Sequence, residues 1–402
     1  MTVNYRGDIV RANTTLGLGG VDISQWPLLD EDVAAIRANL IFSLFYTMSL
    51  VAQAQFDLDD AVVDAYQDES GIDTGACIDQ YYNSTGKFYI NQTPVSATNE
   101  ANAINNTDLT TYTFSSQAFG AAHVSRIVAV LVASVKSGGG QTVSSMTIGG
   151  VSAAFAAGQT NGEDRLELWW AAVPTGTSGD VAVTWSAGVA CCSCSCYRVL
   201  YANSTMKDSL AVAANPSIGT LEVVAGGAVI AATQNKNTSS NIIWVSGVNE
   251  DNEQAMDFCR VSVGNAETVA DNAAYAVESD IAIVSSTTMV AGSWEKGVLD
   301  MTLQSEAFTA DSVPTEAYLL VFVNDFTSPA YNTDFKGYAS RDGGTTWTQV
   351  TLTAEAAGFP GQKFVQGTVD ISAQPSGTSM LYKITTHNGH VFLINGASLF
   401  WK

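Results

Sequence analysis

RLELWWAAVPTGTSGDVAVTWSAGVACCSCSCYRVLYA, residues 165–202, decides the fold. Apolar and β-branched residues run through RLELWWAAV, stop at PTGTSGD, resume in VAVTWSAG and resume again in CSCYRVLYA. Breaks made of Gly, Pro, Ser and Thr between such short runs mark antiparallel strands. No segment between them has the length and apolar stripe of a crossover helix. Outward from this stretch the pattern repeats in RIVAVLVASV, VSSMTIGGVSAAFAAG, LEVVAGGAVIAAT, NIIWVSGV and DIAIVSSTTMVAGSW. An antiparallel β-sandwich over residues 112–295 is predicted. Within it, Trp169 and Trp170 are neighbours on one strand and face opposite sides. One indole is expected in the core, and the other free to stack on a sugar ring or meet a subunit.

The six cysteines are Cys77, Cys191, Cys192, Cys194, Cys196 and Cys259. Thiols two apart on a strand share a face, whereas compact zinc sites use C-x2-C knuckles with a distant second pair. The cluster is therefore expected to be a buried strand of small residues, and no metal is assigned.

A second strand series, LDMTLQSEAFTA, EAYLLVFVND, FKGYASRDGGTTWTQVTL, QKFVQGTVDI, SMLYKITTH and HVFLINGASLFWK, predicts a C-terminal sandwich over 296–402. Inside it, Ser340-x-Asp342-x-Gly344-x-Thr346-Trp347 resembles the Asp-box of sialidases and other β-propeller glycosidases. In that hairpin the Asp accepts backbone N–H groups, glycines supply positive φ and the Trp packs beneath. Propeller enzymes carry one copy per blade; this chain has one copy. Asp342, Gly343, Gly344 and Trp347 are accordingly assigned to structure. No G-x-S-x-G, P-loop or dinucleotide fingerprint occurs. The histidines of THNGH lack metal spacing and an acid partner in sequence, so no catalytic residue and no cofactor is named.

The front of the chain differs. Residues 1–22 are polar and Gly-rich, an expected extended arm with no recognisable export signal. From residue 23 to 74 a helical segment is predicted, its core over about 30–64, opened by acids and free of Gly and Pro after Pro27 up to the turn. Leu40, Leu44, Val51 and Leu58 follow the alternating four-three spacing of a helix seam, flanked by Ile41, Phe45 and Met48. That apolar run is too short for a membrane span, so no membrane insertion is expected. Copies of the chain are expected to bury it together, as a homotrimer. The acids at 57–73 do not fit a calcium loop, and residues 75–111 are expected to be a linker.

Net charge is −22, and only 14% of residues are charged. A phosphate backbone would be repelled, which excludes nucleic acid as a partner.

DESGIDTGACIDQYYNSTGKFY (68–89) and the terminal block NTDFKGYASRDGGTTWTQVTL through INGASLFW (332–401) resemble linker and terminal β-domains of tail-fibre and other structural proteins of tailed bacteriophages. The middle stretch SSMTIGG to VAVTWS is similar to a sandwich module of the same group. The resemblance implies a non-enzymatic virion protein, assembled in the host cytoplasm. It would dock to other virion proteins by its N-terminal arm and helix, and project β-domains that recognise a host-surface glycan or protein. A capsid decoration or head-spike protein without receptor role, and a virion-borne glycan hydrolase, are the alternatives.

Overall fold

The fold was obtained as a computed structural model, which describes residues 55–58, 60–136, 139–236, 241–281, 287–356 and 362–402, with the backbone alone described at 55–58 and 356. It is mainly β, built from several antiparallel sheets, with no helix among the described residues. Two compact units divide the chain. One runs to Gln92 and resumes at Val298, and the other is Thr93–Gly297.

The first unit opens with β1 (Gln55–Leu58), β2 (Ala61–Asp64), β3 (Tyr81–Asn83) and β4 (Phe88–Ile90). The second unit holds β5 (Ser96–Asn105), β6 (Leu109–Ala118), β7 (Ile127–Val135), β8 (Val143–Ile148), β9 (Val151–Ser152), β10 (Ala154–Asn161), β11 (Asp164–Ala172), β12 (Ser178–Val189) and β13 (Cys191–Leu200). It continues with β14 (Asp208–Ala213), β15 (Ser217–Val223), β16 (Ala228–Asn235), β17 (Trp244–Ser246), β18 (Asn249–Ala255), β19 (Arg260–Glu267), β20 (Asn272–Ser279) and β21 (Thr287–Trp294). The first unit then closes with β22 (Thr302–Gln304), β23 (Phe308–Thr309), β24 (Glu316–Asp325), β25 (Phe335–Ser340), β26 (Thr348–Val350), β27 (Thr353–Ala356), β28 (Gln362–Asp370), β29 (Ser379–Thr386) and β30 (Phe392–Trp401).

The Thr93–Gly297 unit is two sandwiches, not the single one predicted over 112–295. The first pairs sheet β10-β11-β7-β13-β5 with sheet β6-β12-β8-β9; the second pairs β14-β21-β16-β19-β18 with β15-β20-β17. With β9 set aside, the two halves have the same winding. In each, the first strand pairs the last, the last the third, the third the sixth and the sixth the fifth, over a second sheet of second, seventh and fourth. This is a two-sheet winding of the jelly-roll kind. The halves meet through their larger sheets, sharing a core of Ile127, Leu131, Leu166, Leu168, Ile230, Val261, Val263 and Trp294. Outside these lie two further cores, one with Tyr112, Trp185 and the Cys192, Cys194 and Cys196 face, the other with Ile218, Leu221 and Val277.

The seam between the halves is reciprocal. Tyr197 of β13 donates to Asp251 of β18 at 2.8 Å, and Ser195 to Gln254 at 3.2 Å. In the mirrored sense, Asn161 of β10 donates to the Thr287 carbonyl of β21 at 3.0 Å. Last strand meets fifth strand in both directions, as in an isologous two-fold contact.

In the first unit, sheet β1-β2-β30-β24-β28-β27 faces sheet β22-β29-β25-β26 across Leu319, Val321, Val365, Leu399, Phe335, Tyr382 and Ile384. The predicted boundaries change here. Gln55–Leu58 and Ala61–Asp64 pair as a strand hairpin rather than helix, and β2 pairs β30 with Val62 opposite Leu399. Val62 and Val63 are each buried on opposite faces of the sheet, a tertiary demand that overrides local helix preference. Leu58, expected on the helix seam, stands on β1. Leu40, Ile41, Leu44, Phe45, Met48 and Val51, with the arm over 1–22, lie outside the described residues. The 75–111 stretch, expected as a linker, contains β3, β4, β5 and the start of β6. Buried Asn91 ties it down by donating to the carbonyls of Leu299 and His390.

Candidate functional site

The Asp-box hairpin joins β25 to β26. Gly343 and Gly344 have φ of 75° and 82°, the left-handed region that suits glycine. Thr346 N donates to Asp342 Oδ1 at 2.9 Å, and Gly344 N to Ser340 Oγ at 3.0 Å. Arg341 is buried and spends its guanidinium on carbonyls, those of Pro314 at 2.6 Å, Ser372 at 2.7 Å, Pro375 and Gln374. It is a lock for the surrounding loops.

The Trp347 ring packs against Gly344 of the hairpin. It lies half-buried on the outer face of the sheet, with the Lys383 ammonium 4.2 Å from its ring centre. The same ammonium stands 5.1 Å from the Tyr338 ring centre. Register explains the meeting: Tyr338 pairs Lys383 across β25 and β29, Gln349 pairs Tyr338 from β26, and Gln304 pairs Lys383 from β22. Residues two apart on a strand share a face, so Lys336 joins Tyr338 on this outer side. Its pairing partner is Thr385. Burial holds the Lys383 ammonium below the usual lysine range. Two aromatic faces, a partly dehydrated cation and two amides therefore sit side by side, on paired strands and, for Trp347, on the hairpin that joins β25 to β26.

The other predicted positions go elsewhere. Trp169 donates its indole N–H to the buried Glu167 carboxylate at 2.6 Å and packs into the outer core of the first sandwich. Trp170 is half-buried against the seam between the sandwiches. Both faces of β11 are covered, so neither indole is the open one; the exposed aromatic at this edge is Phe155, 51% exposed. A cleft of about 520 Å³ in the first sandwich is lined by Thr113, Thr147, Gly149, Gly150 and Asp180. It presents no cation.

The histidines do have acid partners in space, which the sequence reading missed. His390 Nε2 is 3.3 Å and His387 Nδ1 is 3.5 Å from the carboxylates of Asp334 and Asp300. Asp334 is filled further by Asn388 Nδ2 at 2.7 Å and Ala330 N at 2.8 Å. The cluster stitches loops together. The acidic run caps turns: Asp68 Oδ1 accepts from Ser70 N and Oγ, and Asp73 Oδ1 from Gly75 N and Ala76 N. Among the described residues no group of three or more His, Cys, Asp or Glu could hold a metal ion. No helix among them is long and apolar enough to cross a membrane.

No family model matches the chain, and no curated protein sequence matches it.

Proposed function

We propose that the chain is a non-enzymatic structural protein of a phage-like virion, a fibre or spike docked by its N-terminal part, whose first-unit sheet face recognises a host-surface glycan. The observation that carries the recognition part is the Trp347–Tyr338–Lys383 arrangement, where the indole face of the hairpin and the phenol face of β25 lie beside an ammonium. Aromatic faces stack on the C–H side of sugar rings, and amides such as Gln304 and Gln349 suit hydroxyls. The likeness of residues 68–89 and 332–401 to tail-fibre proteins supports the virion part.

The test incubates the purified chain with host-surface polysaccharides. Binding without shortening is expected, with a loss of about tenfold or more for Trp347→Ala, the size of a well-placed aromatic anchor. Shortening of the polysaccharide would replace the reading with a glycan hydrolase. Antibody located on particle heads by microscopy would replace it with a decoration protein. The homotrimer is tested by light scattering, with a mass about three times 42.3 kDa expected; a monomer would remove the shared stalk.

A further inference from the structure

We propose that the ligand of the Trp347 face is an acidic glycan, its anionic group held between Lys383 and Lys336. The inference rests on the glycan reading above and narrows it by charge. The chain has 17 basic residues against 39 acidic ones. Most described cations are committed: Arg165, Arg198, Lys207, Lys236, Arg260, Lys363 and Lys402 to carboxylates, Arg126 and Arg341 to carbonyls. Lys383 has ring faces beside it and, among the described residues, no carboxylate partner.

The outward positions of β22, β29, β25 and β26 carry Thr302, Gln304, Lys383, Thr385, Lys336, Tyr338 and Gln349, with no Asp or Glu among them. Within these strands Lys336 and Lys383 carry the charge of this face, and the acids just beyond the strand ends, Asp300 and Asp334, lie beside His387 and His390. Lys336 lies diagonally across from Lys383, a placement that sets Cβ atoms roughly 7–8 Å apart. Two flexible ammonium groups at that spacing can close on one carboxylate, sulfate or phosphate while the sugar ring stacks on Trp347. An ammonium already stripped of part of its water gives up less hydration on meeting an anion than a fully solvated one does. Elsewhere the net charge of −22 repels polyanions. Short acidic oligosaccharides reaching this face are therefore preferred over long ones.

The experiment measures binding of the full chain to oligosaccharides in matched pairs: uronate against carboxyl-reduced, sialoside against asialo, and sulfated or phosphorylated against unsubstituted. In at least one pair the acidic member is expected to bind about tenfold or more tightly, and to weaken as salt rises. Lys383→Gln is expected to erase that preference, bringing the ratio between the two members of the pair to about one. Lys336→Gln should reduce it by a smaller factor, and Lys383→Arg should keep it. Thermal unfolding of each variant confirms the fold. Equal binding of both members in every pair, still lost in Trp347→Ala, would overturn the acidic assignment and leave the glycan reading standing. No binding to any member would overturn both.

Discussion

The two sandwiches of the Thr93–Gly297 unit have one winding and two very different interiors. The outer core of the first is built on Trp185, Tyr112, Phe114, Phe119 and Met146. That of the second is Ile218, Leu221, Val223, Val229, Val248, Val277 and Met289, with Trp244 and Tyr275 only half-buried against it. The central strands differ as much, IVAVLVASV in β7 against AVIAATQN in β16. What the halves share is the sequence of alternations and breaks. Strand pairing order follows from which faces need cover, while residue identity sets how much free energy each half gains by burial.

The comparison breaks first at the cores. Trp185→Ala opens the larger void, since this side chain is 1% exposed and its neighbours are packed around it. It is expected to cost about 3–5 kcal/mol, against about 2 kcal/mol for Leu221→Ala in the second half. Equilibrium unfolding in urea measures both. A Leu221→Ala cost equal to that of Trp185→Ala would show that the halves are held equally and that core size does not rank them.

The seam between the halves sharpens the comparison through pH. Asp164 of β11 is buried there, with Oδ1 accepting from Gln234 Nε2 at 3.4 Å and Oδ2 without a hydrogen-bond partner. Burial pushes its carboxyl up from 3.8 to about 7, with Lys236 pulling down and Glu163 pushing up. A carboxyl raised in the folded state favours folding when protonated. That contribution is fully present below 3.8 and is lost as pH rises through about 7. Unit stability should therefore decline from pH 4 to pH 8, and Asp164→Asn should flatten the profile and stabilise at pH 8, by an amount on the order of 3 kcal/mol. Thermal unfolding across that range reads it. An unchanged slope in Asp164→Asn would assign the pH dependence to another group. In the other unit, Asp64 is the control: burial raises it to about 7 as well, so Asp64→Asn should act there in the same direction.

The strand runs and breaks were legible because half-buried sheets alternate and turns need Gly, Pro, Asn or Ser. The duplication was not, since the halves match in pattern without matching in residues. Trp169 and Trp170 face opposite sides with Trp169 in the core, but the open face expected for the other indole is taken by the seam, because β11 lies in a sheet covered on both sides. The acids from 57 to 64 resembled a helix end, but pairing with β30, far away in sequence, made the segment a strand. The Lys383 site was invisible for the same reason. Tyr338 and Lys383 come together only through strand register, and the hairpin marked in the sequence by the Asp-box brings Trp347 to them.

The smallest expected effect concerns sheet edges. In the first half β8 is flanked by β9, whereas in the second the equivalent β17 has, among the described residues, no strand on its outer side. Ile243 and Val245 there are 59% and 62% exposed. An open edge with apolar side chains offers backbone N–H and C=O groups to another strand, and a lysine is a common natural block. Val245→Lys should therefore change stability by no more than about 0.5 kcal/mol. It should still reduce concentration-dependent association in light scattering beyond any fixed oligomer. Val151→Lys on β9 should leave association unchanged, because the β8 edge it guards is already paired. If both lysines act alike, surface charge rather than the β17 edge governs association, and the difference at this edge has no consequence for the second half.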